Sequence, residues 1–452
     1  MEEEKILPKI PVIPIPYVEA KPIHELIQSA NPTVKIPDNW GQYQIGPSSE
    51  ILELNVENNN TLSLCRNIIG VINGKEEPDR WVIVGFHRDA WINGAADPVS
   101  GMSTVMEITR SFSNLIKTGW QPRRTLIFAS WDAEEPGIMG SYEFTEDYMT
   151  TLKHKAVAYI NMDTVVSQPE LLNMKSTPNL FELLYTSAKE TKSPNPDYKT
   201  MYDFWIGTEK RLNDIDYSQI NPPVSLIGSG SDFTAFLNEI GVSCIDFAYK
   251  TSYGTFPVYH TEYDTYQWLI KYGDPNFVYH QRIGQFAIRV IYALVNDRLL
   301  PMLPSTYATK VKYLALELVS KNSVSIENYN INTTDFINLS NQFTEVAGRL
   351  DKELKQLTRV SEIDPVILRN FNDKLMMLDR QFVSEAGLPG RPSFRHLLFA
   401  PSLSNTYAGS AFPGVVDEIK KQDEESTRKQ LSLVATKLEA AIRTLYNTVS
   451  FL

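Results

Sequence analysis

The chain has 452 residues, 42% of them apolar and 11% aromatic, which is enough for more than one buried core, so two or more domains are expected. Its formal charge of -11, from 43 Lys plus Arg against 54 Asp plus Glu, and the lack of any lysine or arginine run exclude a nucleic-acid surface. No apolar run reaches the roughly 20 residues of a membrane helix, and Cys65 and Cys244, without CxxC spacing, read as buried thiols.

The first residues are acidic and broken by prolines, unlike a signal peptide or an anchor. Residues 1–60 hold prolines at 8, 11, 14, 16, 22, 32, 37 and 47 and one short helical candidate at 18–29. That is too little for a core of its own, so this segment is expected to be a packed arm or the remnant of a domain whose beginning is absent. From Thr61, LSLCRNIIGVING and RWVIVGFH flank the charged turn GKEEPDR, which predicts a hairpin feeding a central strand. Residues 101–115 then carry helical spacing at Met102, Val105, Ile108 and Phe112, followed by the turn GWQPRR and the strand TLIFASW. Strand, helix, strand predicts a right-handed crossover and an α/β layer fold.

AVAYIN reads as the next buried strand. Residues 179–192 form an amphipathic helix, SDFTAFLNEIG another after a turn at Gly228 and Gly230, and SCIDFAYK the last inner strand; the loop TSYGTFPVYHTEYDT and a closing helix at 279–295 follow. Past Asp297 the pattern changes to long helical periodicity beyond a proline-flanked linker at 300–304. One stripe runs from Phe336 through Phe343 and Leu350 to Leu357, a second from Leu368 through Leu375 to Phe382, and a third from Leu431 through Leu438 to Leu445. Such stripes are core or interface, and they predict a helical bundle at 305–452 behind an α/β domain at 61–298. Residues 387–414 interrupt the bundle and are too apolar for a solvated linker. Sequons at Asn59, Asn332 and Asn338 would permit glycosylation in a secretory lumen.

The chemistry gathers where the apolar runs end. His87, Asp89, Asp97, Glu134, Glu135 and Asp163 all fall at the carboxyl ends of expected parallel strands, where α/β sheets place their ligands. A lone histidine there is more often a core residue, but this one arrives with carboxylates that need compensating charge if buried. Asp97, Glu135, Asp163, His87 and His260 make a set of nitrogen and oxygen donors without sulfur, suited to catalytic zinc. Two metals sharing one carboxylate, with two further ligands each, require five side chains. Glu134 is left over and becomes the candidate general base; taken alone, the Glu134–Glu135 pair reads as two solvated acids at a helix start.

HRDxWxxGxxDPxSG from His87, SWDAEExGxxGSxE from Ser130, YINxD from Tyr159 and PxYHTxYDT from Pro257 resemble the glutamate carboxypeptidase II group of dinuclear zinc exopeptidases, which includes the transferrin receptors. The likeness runs from about residue 7 to the end. It implies a zinc-exopeptidase domain, with a mixed, mostly parallel sheet flanked by helices, and then an all-α domain through which two chains form a homodimer. Two Zn2+ per chain are implied: His87 and Asp163 would hold one, Glu135 and His260 the other, with Asp97 bridging. Glu134 would shuttle the proton, Asp89 would orient His87, and Tyr259 would donate to the oxyanion. Small peptides are the implied substrates, and the extracellular face of the plasma membrane or a secretory lumen the implied place.

The departures narrow this. Where glutamate-specific relatives have a Lys-Tyr pair to grip the substrate, this sequence reads Thr406-Tyr407, so Tyr407 stays and the ammonium is gone. An arginine patch favouring acidic residues across the scissile bond is replaced by Asn173, Asp246 and Ala248. Broad peptidase activity is therefore expected, not a dedicated glutamate carboxypeptidase. The family's apical domain and anchor precede the matching segment, and residues 1–60 would be the apical remnant. A Ca2+ site shared with that domain would use Glu143 and Glu146, whose i, i+3 spacing equally fits a solvated helix face. The rival readings are a transferrin-receptor-like binding protein that has lost its metals and an inactive truncated product. Retention of all five ligands and Glu134 argues against the first.

Overall fold

The computed structural model describes residues 10–27, 46–48, 50–57, 61–213, 215, 217, 220–252, 254–405 and 407–446. The chain divides into two compact units, Met1–Leu64 and Cys65–Leu452. In the first, the helix Tyr17–Glu25 starts one residue before the expected helix, and Ile27 pairs with Ser48; positions 28 and 29 lie outside the described residues.

The second unit is built on a seven-stranded sheet of β1 (Ile68–Ile72), β2 (Glu77–His87), β3 (Arg124–Trp131), β4 (Ala156–Asn161), β5 (Leu171–Ser176), β6 (Ser225–Leu226) and β7 (Ser243–Lys250), in the order β1-β3-β2-β4-β7-β5-β6. β3, β2, β4 and β7 are mutually parallel, β1 and β5 are antiparallel to their neighbours β3 and β7, and β6 is parallel to β5. All of β3 and β4 is buried, which is why these strands read as continuous apolar runs with no alternation. The helix Val99–Lys117 buries Val105, Ile108 and Phe112, and it packs against Val278–Asn296, which crosses the central strands.

β1 does not form the expected hairpin with β2. It lies antiparallel to β3, with Ile68 opposite Ser130 and Ile72 opposite Leu126, so β3 separates the two. The turn after β1 is tied to the start of β3, where Lys75 N donates to Pro122 O at 2.8 Å and Glu77 N to Arg123 O at 2.9 Å. Two apolar runs around a polar turn specify two strands, but the backbone of a third decides how they pair. Cys244 is buried as expected; Cys65 is exposed, because residues 61–66 run outside the sheet.

The remainder is helical, with Pro304–Lys321, Thr334–Leu357, Pro365–Met377, Pro413–Lys421 and Glu424–Tyr446. Phe336, Phe343, Leu350, Leu375, Leu431 and Leu438 from the three stripes are buried and join one apolar core with the sheet. The second stripe outlasts its helix, since Phe382 sits on a following 3-10 turn, Asp379–Phe382. Asp364 starts that stripe's helix by accepting from Val366 N at 2.7 Å, with Pro365 supplying the fixed φ of a first helical residue. Within the insertion, Phe399–Pro401 pairs with Gly409–Ala411, and Leu397, Leu398 and Phe399 are buried. No helix among the described residues is long and apolar enough to cross a membrane.

Candidate metal centre

Five chain segments deliver the site. His87 is the last residue of β2, Glu134 and Glu135 follow β3, and Asp163 follows β4, so the parallel register brings them to one edge of the sheet. Asp97 lies two residues before the helix Val99–Lys117, separated from it by the N-cap Pro98, and His260 comes from the loop after β7. The backbone of His260 is left-handed, at φ 57°, a conformation that a non-glycine residue holds only when its surroundings impose it. Gly101 packs that helix so tightly onto the carbonyls of Met162 and Asp163 that no side chain fits between them.

The donor atoms converge. His87 Nε2 lies 3.0 Å from Asp163 Oδ1 and 3.2 Å from Asp97 Oδ1, and His260 Nε2 lies 3.3 Å from Asp97 Oδ2 and 3.2 Å from Glu135 Oε2. Asp97 thus presents one oxygen to each imidazole. One ligand atom each from His87, Asp97 and Glu135 lies within 4.8 Å of the others. His87 Nδ1 is 3.0 Å from the backbone oxygen of Asp89, so a proton held there leaves the Nε2 lone pair facing the cluster. The Asp89 carboxylate holds the adjoining turn. It stands 3.7 Å from His87 Nδ1 but accepts from Glu134 N at 3.0 Å and Glu135 N at 3.1 Å, which fixes the turn carrying both glutamates.

The charge balance favours a cation. Burial, with Asp163 adding to it, pushes the Glu134 carboxyl up to about 10, and burial with Asp97 pushes Glu135 up to about 7. Burial also resists charge on Asp97, yet His260 and His87 draw its carboxyl down to about 2. Burial opposes the charge on His87 as well, and Asp163 outweighs it and holds the imidazole well above its usual range. Asp97 Oδ1 is buried without a hydrogen bond among the described residues. Crowded carboxylates, two imidazoles with Nε2 turned inward and an oxygen lacking a hydrogen bond are donors of the kind that hold a divalent metal.

A cavity of about 310 Å³ opens on the cluster, lined by Glu134, Tyr142, Ser229, Tyr259, Phe394 and Tyr407 among others, with no lysine or arginine among the described residues. Tyr259 stacks on His260 with ring centroids 3.6 Å apart, and burial followed by Asp97 raises its phenol. Tyr407 is exposed at the cavity mouth, and Thr406 lies outside the described residues. A second cavity of about 160 Å³ adjoins Asp163 and Tyr259 and contains Asn173, Asp246 and Ala248, together with Lys175 and Lys250. Lys175 Nζ is 3.4 Å from Asp246 Oδ2, whereas Lys250 makes no ion pair among the described residues. Burial, and then the Lys175 ammonium, lower the Lys250 pKa.

Glu143 and Glu146 are exposed on the helix Met139–Asp147, away from the cluster. Sequence reasoning missed several supports. Asp264, inside a quoted motif, accepts from Ala96 N at 2.8 Å and Asp97 N at 3.1 Å. Ser100 Oγ accepts from Val165 N at 3.1 Å, and Ser231 Oγ donates to Asp163 Oδ2 at 2.6 Å. The strings HTEYDT and DPxSG could have pointed to Asp264 and Ser100; nothing local marks Ser231.

Residues 67–276 match peptidase family M28, and residues 331–446 match the transferrin receptor-like dimerisation domain. The aminopeptidase NAALADL1 of Rattus norvegicus is 33% identical over 97% of this chain and 61% of that protein. The probable glutamate carboxypeptidase LAMP1 of Arabidopsis thaliana is 33% identical over 97% of this chain and 60% of that protein, and a glutamate carboxypeptidase 2 homolog of Caenorhabditis elegans is 30% identical over 99% and 62%. The chain therefore spans about three fifths of the length of these relatives.

Proposed function

We propose that this chain, which matches peptidase family M28 over residues 67–276 and the transferrin receptor-like dimerisation domain over residues 331–446, is a dinuclear zinc exopeptidase acting on the ends of small peptides. The observation that carries this reading is the convergence of His87, Asp97, Glu135, Asp163 and His260 at the end of a parallel sheet, with Glu134 beside them. His87 and Asp163 would hold one zinc, His260 and Glu135 the other, and Asp97 both. Zinc bound there lowers the pKa of water and polarises a peptide carbonyl.

The chain's own groups do the rest. Glu134, held by its backbone against Asp89, faces the cavity, takes a proton from the attacking water and returns it to the leaving amine. Tyr259, rigid against His260, donates its phenolic proton to the developing oxyanion. Phe394, Pro401 and Tyr407 wall the first cavity without a fixed cation, which supports broad acceptance of substrate ends. Pairing through the helical domain and an extracellular or lumenal location belong to the same proposal. Metal retention would distinguish it from a transferrin-receptor-like binding protein.

Metal analysis of the purified chain, joined to hydrolysis of di- and tripeptides with neutral and acidic ends, tests the reading. About two zinc per chain with turnover is expected. A chain that takes up no divalent metal, or holds zinc and cleaves none of the panel, overturns it.

A further inference from the structure

The Asp163 carboxylate is fixed by a hydrogen-bond chain that has a direction. Trp131 Nε1 lies 2.9 Å from Tyr159 OH, Tyr159 OH lies 3.2 Å from Asn161 Oδ1, Asn161 Nδ2 lies 3.0 Å from Ser231 Oγ, and Ser231 Oγ lies 2.6 Å from Asp163 Oδ2. Trp131, Tyr159, Asn161 and Ser231 are all buried.

An indole nitrogen can only donate. The Tyr159 oxygen must therefore accept from Trp131, and its own proton goes to Asn161. That contact makes the facing atom of the amide its oxygen, which turns Nδ2 toward Ser231 and toward Asp246 Oδ1, 3.0 Å away. Ser231 thus accepts from the amide, and its one proton is left for Asp163. Each link has a single assignment, so the sense is set in the core by Trp131 and arrives at the metal cluster as a donor.

We propose that Trp131, Tyr159, Asn161 and Ser231 form a one-way relay whose end, the Ser231 hydroxyl, is the positioning group for Asp163. This rests on the metal-centre reading above. With Oδ2 holding the Ser231 proton, Oδ1 is the oxygen turned to His87 Nε2 at 3.0 Å, with the Thr164 hydroxyl 3.2 Å away on the same oxygen, and it is the one offered to a cation. The relay keeps the second oxygen occupied and stops the carboxylate from rotating. It also explains an asymmetry between the ligands: Asp97 has both oxygens facing imidazoles, while Asp163 has only one.

The test is zinc titration of the metal-stripped chain against a competing chelator, read as stoichiometry and affinity for wild type, Ser231→Ala and Ser231→Thr, without reference to turnover. Ligand-orienting partners typically contribute about ten- to a hundredfold in metal affinity. Ser231→Ala is expected to weaken one of the two zinc equivalents by about that factor and leave the other unchanged. Ser231→Thr, which keeps the hydroxyl, is expected to restore binding to within about threefold. Wild-type affinity in Ser231→Ala overturns the relay, as does equal weakening in both variants. A wild-type chain that binds no zinc overturns the metal centre itself, and the relay with it.

Discussion

Gly94 tests whether the Asp97 backbone must stay where it is. Its φ is 62°, and a Cβ built there would stand 2.6 Å from the carbonyl oxygen of Asp97 and 2.5 Å from Ala90 Cβ. Reaching the ~3.3 Å of an ordinary carbon-oxygen contact requires the Asp97 carbonyl to retreat by about 0.7 Å. Gly94→Ala therefore adds a left-handed alanine, costing about 1–2 kcal/mol, to an overpacked contact costing about 1–3 kcal/mol. Since Asp97 faces both His87 and His260, a shift of that size disturbs both halves of the cluster at once. Misplacement of about 1 Å near reacting groups costs on the order of a hundredfold. Gly94→Ala is thus expected to lose about ten- to a hundredfold in kcat, bind less zinc and unfold at lower denaturant. Gly348 is the control. It sits in the helix Thr334–Leu357 with nothing within 4 Å of its would-be Cβ, so Gly348→Ala should stabilise by about 0.5–1 kcal/mol at unchanged activity. Wild-type kcat and zinc content in Gly94→Ala would show that the loop yields freely and that the geometry of Asp97 is not held from Gly94.

Glu134→Gln is expected to keep its zinc and lose about 10²–10⁴-fold in kcat, the usual contribution of a general acid-base group; a loss below tenfold would assign the proton transfer elsewhere. Lys250→Ala should raise KM about tenfold for peptides whose acidic side chain reaches the second cavity and leave alanine peptides unchanged. Equal KM changes for both substrates would show that the Lys250 ammonium does not read charge. Burial pushes Glu239 up to about 7, with Arg395 opposing. The folded chain then keeps a proton that the unfolded chain releases between about pH 4.5 and 7, so this group makes stability fall as pH rises through that window. Glu239→Gln should flatten that fall in urea unfolding measured from pH 4 to pH 8; a slope identical to wild type would refute it.

What the sequence revealed follows from how each feature is encoded. β2, β3 and β4 were legible because strands covered on both faces need uninterrupted apolar side chains, and the acids that end them break the pattern visibly. The partner of β1 was hidden, since the same five residues Ile68–Ile72 could pair with either β2 or β3, and the choice is made by backbone far away in sequence. His260 could not be placed by periodicity at all: it lies in a loop with left-handed backbone, and only the surrounding string of residues singled it out. Ser231 was invisible for a different reason, and the part played by Asn161, although it stands in the string YINxD, was hidden with it. Their importance lies in which way a proton points, and that sense originates at Trp131, 100 positions before Ser231 in the chain and more plausible by composition as core filling. Lys175 and Lys250 show the same limit from the side of charge. The expected arginine positions are neutral or acidic, yet two residues further along β5 and β7 the alternation of a strand returns to the same face, and it is there that the cations stand. Substitution at one strand position therefore does not empty a face of charge, and the acidic-peptide comparison for Lys250 decides whether these two lysines bear on the substrate.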